Sequence, residues 1–181
     1  FAIDYFERLK RDYSSEKSRK TEIKIFDDVD VKKVVIRNTK LYVNREEGFI
    51  GTSLRRHEYV CDCSDIDDII VFTENCSMMV TKVDSKVFIG KNIVHAAVFK
   101  KKDLRTIYNM VYKDGDKGIN FIKRFAVSGV TRDKLYKLSN SKKESYVKYF
   151  SANPNGEAEK ITINLRSNSK LKKNPRPRNI F

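Results

Sequence analysis

Hydrophobic and polar positions alternate over short distances along most of the chain. From residue 31 onward, runs of four to eight residues rich in β-branched and aromatic side chains are separated by turn residues, which is typical of antiparallel strands. The runs are "KKVVIR", "KLYVNR", "GFIGTSL", "YVCDCS", "DIIVFT", "SMMVTKV", "KVFIG", "IVHAAVF", "TIYNMVY", "NFIKRFAV", "YVKYFS" and "KITINLR". None has the 3.6-residue period of a long helix. The pattern predicts an all-β domain.

The first 13 residues differ from this pattern. Ala2, Phe6, Leu9 and Tyr13 recur at steps of four, three and four residues, so they share one face of a predicted helix. The polar stretch "SSEKSRKTE" that follows is typical of a linker. We therefore expect residues 1–26 to be the helical end of an upstream region plus a linker, and residues 27–166 to be the β domain. A chain that begins with Phe is expected to be a fragment.

Turn signals divide the β domain into hairpins. They fall at Glu47-Gly48, Asn75-Cys76, Asp114-Gly115 and Asn155-Gly156, where Gly and Asn supply the positive φ that tight hairpins require. The last three turns lie 39 and 41 residues apart. A period near 40 in an all-β chain predicts a propeller-like array with one four-stranded blade per repeat. The chain lacks Trp, which excludes an ordinary WD-type propeller.

Charge narrows the choice of partner. The 181 residues include 38 Lys and Arg against 24 Asp and Glu, a net charge of +14. Such an excess favours a polyanion, most often nucleic acid, over a charge that serves only solubility. Residues 167–181, "SNSKLKKNPRPRNIF", are basic and contain two of the three prolines. We expect them to form an extended tail, either solvated or laid along a polyanion.

Cysteine usage and hydropathy indicate the compartment. Three cysteines, at positions 61, 63 and 76, do not form a secreted disulfide framework. Neither a signal peptide nor an apolar run of membrane-spanning length is evident. The sequence therefore predicts a cytoplasmic protein with no membrane partner.

Two glycines three residues apart, in "GFIGTS" from Gly48 to Ser53, raise the question of a phosphate cradle. A P-loop would need a lysine and a following helix, and a dinucleotide fingerprint would need a third glycine. Neither is present, so we interpret Gly48 as closing a hairpin whose return strand begins at Phe49.

Metal and acid–base sites are also weakly supported. The spacing of His57, Cys61, Cys63 and Cys76 lacks the paired C-x-x-C of structural zinc, and buried free thiols are the ordinary alternative. Asp62, Asp65, Asp67 and Asp68 could hold Mg²⁺ or carry acid–base chemistry, but Asp at a strand end usually shapes a turn. His95, inside an apolar run, is expected to be a packed strand residue. We predict no catalytic, cofactor or metal site.

Basic clusters are the stronger candidates for function. If blades are arranged in a disc, loops at equivalent positions align along one rim and form a cationic track for a duplex backbone, whose affinity falls steeply with salt. The alternative is an evenly solvated surface. The predicted DNA-binding residues are Arg45, Arg55, Arg56, Lys82, Lys86, Lys100, Lys101, Lys102, Arg105, Lys123, Arg124, Arg132 and Lys134.

Several phrases resemble a known family. "LYVNREEGFIGTSL", "DCSDIDDIIVFTENCSMMVTKV", "AVFKKKDLRTIYNMVYKDG" and "IKRFAVSGVTRDKLYKL" are similar to the C-terminal region of the A subunits of bacterial type IIA topoisomerases, the DNA gyrase and topoisomerase IV family, in its Bacteroidetes form. "AIDYFERLKRDY" resembles the end of the upstream breakage-reunion region. The resemblance implies a β-pinwheel, a disc of four-stranded blades that exchange strands and bend DNA around a basic rim.

The resemblance also implies partners and a division of labour. The cleavage tyrosine would lie upstream, so this fragment would not be catalytic by itself. The partner B subunit would supply the ATP and Mg²⁺ chemistry, and a second A subunit would complete an ATP-dependent type II topoisomerase associated with the nucleoid. A β-propeller-like protein-interaction module and a nuclease using the Asp cluster are the alternatives from other classes.

Two departures from the family pattern qualify this interpretation. The glutamine-arginine-arginine-glycine-glycine-lysine-glycine box of gyrase is not found among the seven glycines of the chain, which favours a topoisomerase IV-like role in relaxation, decatenation and chromosome segregation. A gyrase-type domain that wraps DNA for negative supercoiling is the alternative. The four hairpins account for three to four blades, fewer than the family's five or six, so we expect the pinwheel to be incomplete.

Overall fold

The computed structural model describes residues 2–13, 39–115, 119–140 and 144–163, together with the backbone of residues 178–180. The chain divides into two compact units, residues 1–34 and 35–181. In the first unit, the helix α1 spans Ala2–Tyr13, as its apolar spacing predicts. The predicted linker and the run "KKVVIR" lie outside the described residues.

The second unit is built of antiparallel strands, as the alternating pattern predicts. Its strands are β1 (Thr39–Asn44), β2 (Phe49–Gly51), β3 (Glu58–Cys63), β4 (Asp68–Thr73), β5 (Ser77–Lys82), β6 (Val87–Phe88), β7 (Ile93–Phe99), β8 (Ile107–Asp114), β9 (Ile119–Ala126), β10 (Tyr136–Lys137), β11 (Tyr146–Asn153), β12 (Ile161–Ile163) and β13 (Arg178–Ile180). No helix occurs in the described part of this unit. The fold is therefore all-β with one short N-terminal helix.

The strands form four sheets, which we name A to D in chain order. Sheet A has the order β3-β1-β2-β6, sheet B β10-β5-β4-β7, and sheet C β11-β8-β9, while β12 and β13 form sheet D. Sheet D includes residues 178–180, so part of the predicted extended tail is a strand. Each of the first three sheets is built on a central hairpin, β1–β2, β4–β5 or β8–β9.

Neighbouring sheets exchange a strand. The strand β6 follows the hairpin of sheet B but pairs with β2 of sheet A, through Phe49 with Phe88 and Ile50 with Val87. The strand β10 follows the hairpin of sheet C but pairs with β5 of sheet B, through Tyr136 with Met78. Each returning strand is two residues long, too short for a periodic signal, and the sequence pattern detected β6 but not β10.

Sheet B is the middle layer of the unit. All six residues of β4 are buried, because successive side chains of a strand point to opposite faces and both faces are covered. Ile69 and Val71 join a core with residues of sheet A. Ile70 and Phe72 join a second core with residues of sheet C. The four consecutive apolar residues at the centre of β4 are thus explained by two-sided packing.

The four predicted turns all contain a residue with positive φ. The φ angles are 81° at Gly48, 59° at Cys76, 56° at Gly115 and 69° at Gly156. Three of the turns lie in the central hairpins, as predicted. The hairpin predicted at Gly156 is wrong: β11 precedes that turn and pairs with β8, whereas β12 follows it and pairs with β13. The turn there carries the chain from sheet C to sheet D.

The two glycines of "GFIGTS" are explained by the returning strand. A Cβ atom on Gly48 would lie 2.1 Å from the carbonyl oxygen of Gly90, and one on Gly51 would lie 2.2 Å from that of Ser85. The carbonyl of Gly48 also accepts a hydrogen bond of 2.9 Å from the amide of Ile89. This agrees with the interpretation of the stretch as a hairpin: its glycines let the backbone of the returning segment approach.

Candidate nucleic-acid interface

Two of the candidate DNA-binding arginines are engaged in internal contacts. Arg45, in the β1–β2 turn, donates to both carboxylate oxygens of Glu58 at 2.6 and 2.7 Å. It also donates to the carbonyls of Ile93 and Val94, which connects sheet A to β7. This charge-assisted pairing raises the pKa of Arg45 and lowers the pKa of Glu58. Arg45 therefore brings little uncompensated charge to the surface.

Arg132 makes the second such contact. It lies between β9 and β10, and its Nε lies 2.8 Å from Oδ1 of Asp68, while a terminal nitrogen donates to Oδ2 at 3.2 Å. Asp68 begins β4 and its side chain is only 9% exposed. A buried carboxylate needs a partner, so Arg132 joins the β9–β10 connection to sheet B and its charge is largely neutralised.

Four further candidates make weaker internal contacts. Lys123 donates to the carbonyl of Leu138 at 3.0 Å, and Arg124 donates to that of Gly156 at 3.0 Å. The ammonium groups of Lys86 and Lys134 lie 4.2 and 5.4 Å from the ring centres of Phe49 and Tyr136, a cation–π geometry. Each of these cations is held in place by a neighbouring carbonyl or aromatic ring.

The remaining candidates lie on exposed positions of loops and a strand end. Among the described residues, none of their side chains donates a hydrogen bond or forms an ion pair. They are Arg55, Arg56, Lys82, Lys100, Lys101, Lys102 and Arg105. Arg55 and Arg56 lie between β2 and β3, and Lys82 ends β5. The last four lie together between β7 and β8.

The loop between β7 and β8 has a defined backbone. Asp103 accepts hydrogen bonds from the amide of Arg105 and the hydroxyl of Thr106, both at 2.8 Å, and these contacts lower the pKa of its carboxyl group. The amide of Lys102 donates to the carbonyl of Ser128 at 2.7 Å, and Lys102 has a φ of 65°. Because backbone contacts fix the loop, its lysine side chains extend from a rigid base.

The cysteines considered as metal ligands lie in different parts of the structure. Cys63 is buried in the core between sheets A and B, whereas Cys76 belongs to a separate cluster with Met110 and Tyr112. Burial raises the pKa of the Cys76 thiol to about 11, which disfavours the thiolate that metals bind. In the described ranges, no three His, Cys, Asp or Glu side chains form a metal-binding group.

The Asp cluster is likewise divided among local contacts. Asp67 accepts a hydrogen bond from the amide of Ser64 at 2.9 Å, and Asp65 accepts one from the hydroxyl of the same residue. Asp68 pairs with Arg132. These are the turn and charge-balancing roles that Asp commonly has at strand ends.

One polar cluster could not be found from the sequence. Glu159, between β11 and β12, accepts hydrogen bonds from Asn109, Tyr149, Ser151 and Asn153. Its pKa is lowered, chiefly by the hydroxyl of Ser151 and then that of Tyr149. Asn109 is 50 residues distant in sequence, and no local pattern predicts such a contact. The cluster holds the segment after Gly156 against sheet C.

Comparisons with known proteins agree with the resemblance seen in the sequence. Residues 40–179 match the family described as topoisomerase C-terminal domain, Bacteroidota. The chain is 34% identical over 155 residues to the A subunit of DNA topoisomerase 4 from Borreliella burgdorferi, a match that covers 85% of this chain and 24% of that protein. The chain thus spans about a quarter of the length of this curated relative. No solved structure matches.

In the described residues, no helix is long and apolar enough to span a bilayer.

The family match covers well over half of the chain, and the similarity to the topoisomerase 4 protein extends over most of it. The chain belongs to the C-terminal domain family of bacterial type IIA topoisomerase A subunits.

Proposed function

We propose that this chain binds and bends double-stranded DNA as the C-terminal β-pinwheel of a topoisomerase IV-like A subunit. The observation that carries the proposal is the group of exposed cations in the rigid loop between β7 and β8, within a chain of net charge +14. Phosphate contacts by such side chains supply affinity without reading sequence. The domain would select or bend the DNA segment, and the chemistry would take place elsewhere in the holoenzyme.

The exchanged strands support the pinwheel architecture. Sheets A and B each consist of a central hairpin, a flanking strand that follows it, and a short strand contributed after the next hairpin. Sheet C repeats the first two parts with β8–β9 and β11. A chain that repeats this unit places one edge of each sheet, and the loops beside it, at equivalent positions along the array. Loops in equivalent positions can follow one continuous duplex backbone.

The rest of the assignment follows from the relative named as the A subunit of DNA topoisomerase 4. We propose that the holoenzyme is an ATP-dependent type II topoisomerase, formed from a second A subunit together with the B subunits, and that it acts on the cytoplasmic nucleoid. ATP and Mg²⁺ would be bound by the B subunit, with no cofactor in this fragment.

The test is duplex binding across salt concentrations by gel shift. We expect the logarithm of the binding constant to fall linearly with the logarithm of salt, with a slope of about 0.9 per phosphate contact. Simultaneous reversal of Lys100, Lys101 and Lys102 to Glu should weaken binding to all duplex sequences alike and reduce this slope. Binding that is absent at low salt, or insensitive to salt, would overturn the proposal.

A matched control separates a local site from overall charge. Reversal of Lys40, Lys91 and Lys148, which are exposed and dispersed, changes the net charge by the same amount. We expect a clearly smaller loss of DNA affinity, because these residues lie away from the β7–β8 loop. Equal losses from both triple variants would indicate that only the total charge of the chain matters.

The gyrase alternative is tested by topology. If the domain only bends DNA, ligation of a nicked circle in its presence should leave few supercoils after the protein is removed. Many supercoils of one sign would favour the wrapping function, for which the required glycine- and arginine-rich box was not found in this sequence.

A further inference from the structure

A second feature lies beside the basic loop. A cavity of about 250 Å³ opens where sheets B and C meet, with walls formed mainly by apolar side chains. Two alanines, Ala97 on β7 and Ala152 on β11, line it together with Phe99, Val127 and Pro154. Small side chains at these positions leave the space between the layers unfilled. An engineered cavity of about 150 Å³ holds a benzene ring, so this one has room for a larger planar ring.

Two polar groups lie in the same cavity. Tyr108 is 5% exposed, and both it and His95 are lining residues. Among the described residues, neither the Tyr108 hydroxyl nor the His95 ring nitrogens have a hydrogen-bond partner, and both rings pack against other aromatic rings. Neither set of polar atoms is sealed from solvent, so both can reach a ligand that enters the cavity. An apolar pocket with a few convergent polar groups is the usual form of a ligand site.

The protonation of these groups defines what they can recognise. Burial, with a smaller contribution from the charge of Arg45, lowers the pKa of His95 to about 4. Burial also raises the pKa of Tyr108 to about 12, with a contribution from Asp103. At neutral pH the imidazole is uncharged and offers one donor and one acceptor, and the phenol offers a donor. These groups suit a neutral ring that carries both donors and acceptors.

The mouth of the cavity is charged, in contrast to its apolar interior. Lys100 lines the cavity and is exposed, and Lys101, Lys102 and Arg105 follow it on the same loop outside the lining. Asp103 also lines the cavity, but its carboxylate accepts hydrogen bonds from the amide of Arg105 and the hydroxyl of Thr106. A ligand with a neutral heterocyclic ring and an attached anion would place the ring in the cavity and the anion beside these cations. Nucleotides combine the two.

We infer that the cavity between sheets B and C binds a single nucleobase, with the attached phosphate held by the cations at residues 100–105. The base comes either from an unpaired nucleotide of DNA or from a free nucleotide. The ring is enclosed by His95 and Tyr108, and the lysines contact phosphate without selecting the base. The loop cations are shared with duplex binding, but the cavity is not, because in a duplex the bases stay stacked and only the backbone is contacted.

The experiment is calorimetric titration of the chain with thymidine 5′-monophosphate, adenosine 5′-monophosphate, oligo(dT) and ribose 5-phosphate. We expect at least one base-containing probe to bind at least tenfold more tightly than ribose 5-phosphate, which carries the anion without a base. Tighter binding of oligo(dT) than of the mononucleotides would identify unpaired DNA as the source, and the reverse order would identify a free nucleotide. Equal affinity for ribose 5-phosphate and every base-containing probe would overturn the inference.

Two variants connect the binding to the cavity. Tyr108→Phe keeps the ring and removes the hydroxyl, and we expect it to weaken nucleotide binding by about three- to tenfold. Ala97→Leu fills the cavity and should reduce binding by more than tenfold, with a thermal melt to verify folding. Both should leave duplex affinity unchanged. Unchanged nucleotide binding in Tyr108→Phe and in folded Ala97→Leu would contradict the inference, even if duplex binding holds.

Discussion

Sheets A and B, and sheets B and C, meet at two joints, where the segment with the returning strand contacts the hairpin turn of the preceding sheet. The two joints share this arrangement but differ in how the turn residue packs. At the joint of sheets A and B, the turn residue Gly48 accepts a hydrogen bond from Ile89 on the returning segment, and at the joint of sheets B and C, Cys76 accepts one from Leu138. Both turn residues have positive φ. The first joint leaves no room for a Cβ atom at this position, whereas in the second the Cys76 side chain is fully buried in a small core.

This difference shows where the repeat tolerates variation. The first joint is held by close backbone approach and by Arg45, which donates to the carbonyls of Ile93 and Val94 on β7. The second has a side chain at the turn, an ion pair between the exposed Arg132 and the buried carboxylate of Asp68, and a cavity between its layers. We expect the first joint to be intolerant of any added side chain, and the second to depend on specific polar groups.

The largest effect is expected from Gly48→Ala, which breaks the first joint. The new methyl group would lie 2.1 Å from a backbone oxygen that cannot move without displacing β6, and the φ of 81° adds strain. We expect a loss of about 4 kcal/mol or more in the free energy of unfolding, measured by urea denaturation. Gly129→Ala is the control, because no atom lies within 4 Å of its added Cβ; equal losses from both variants would refute the packing argument.

The next largest effect is expected from Arg132→Ala, which breaks the second joint. The variant leaves the buried carboxylate of Asp68 without its partner, and we expect a loss of about 3 kcal/mol in unfolding free energy. The neighbouring Lys134→Ala removes an exposed cation and should cost less than about 0.5 kcal/mol. If Arg132→Ala is as stable as Lys134→Ala, the ion pair does not stabilise this joint.

An acid-sensitive loss of stability is expected from His95 at the same joint. Burial first, and then the charge of Arg45, lower the pKa of His95 to about 4. The unfolded chain therefore binds a proton at this residue near pH 6.5, whereas the folded chain binds it only near pH 4. Stability contributed by the neutral ring is complete above pH 6.5 and is lost as pH falls toward 4, by up to about 3 kcal/mol.

Unfolding experiments between pH 4 and 7 measure this effect. His95→Gln should flatten the dependence on pH in that window relative to the wild type. His57→Gln is the matched control, because His57 is exposed, and it should keep the wild-type dependence. A wild-type slope that persists in His95→Gln would assign the acid sensitivity to other groups.

The smallest effect is expected from Cys76→Gly, which makes the second joint resemble the first. The variant loses a fully buried side chain beside Met110 and Tyr112, but glycine adopts the φ of 59° without strain. These contributions oppose each other, and we expect a net loss of about 1 kcal/mol by urea denaturation. A loss as large as that of Gly48→Ala would show that the two joints are equally intolerant.

The sequence predicted local structure well because local structure follows from local patterns. The alternation of apolar residues located the central hairpins, and Gly48 and Gly115 have the positive φ expected of them. At Asn75-Cys76 the positive φ falls on the cysteine and not on the asparagine. It did not detect β10, whose two residues have no period. It also assigned β12 to a hairpin with β11, because a turn residue at Gly156 does not say which strand the chain joins next.

The candidate interface was predicted only as a set of cations. Sequence could not separate Arg45 and Arg132 from Lys100, because their partners Glu58 and Asp68 lie 13 and 64 residues away. The pairing of β1 with β3 brings Glu58 to Arg45, and the passage of the chain back to sheet B at β10 brings Arg132 to Asp68. Whether the exposed cations bind DNA stays a prediction. The cavity with His95 and Tyr108 had no sequence signal, since it depends on two small residues in different sheets.

The returning strands have a consequence for synthesis. The edge of β2 stays open on a nascent chain until the whole hairpin of sheet B and then Val87 and Phe88 have left the ribosome, and β5 waits in the same way for Tyr136 and Lys137. Open strand edges promote pairing with other chains, and domains fold as units while synthesis proceeds. A ribosome that stalls between two sheets therefore leaves a nascent chain whose last complete hairpin has an unprotected, aggregation-prone edge.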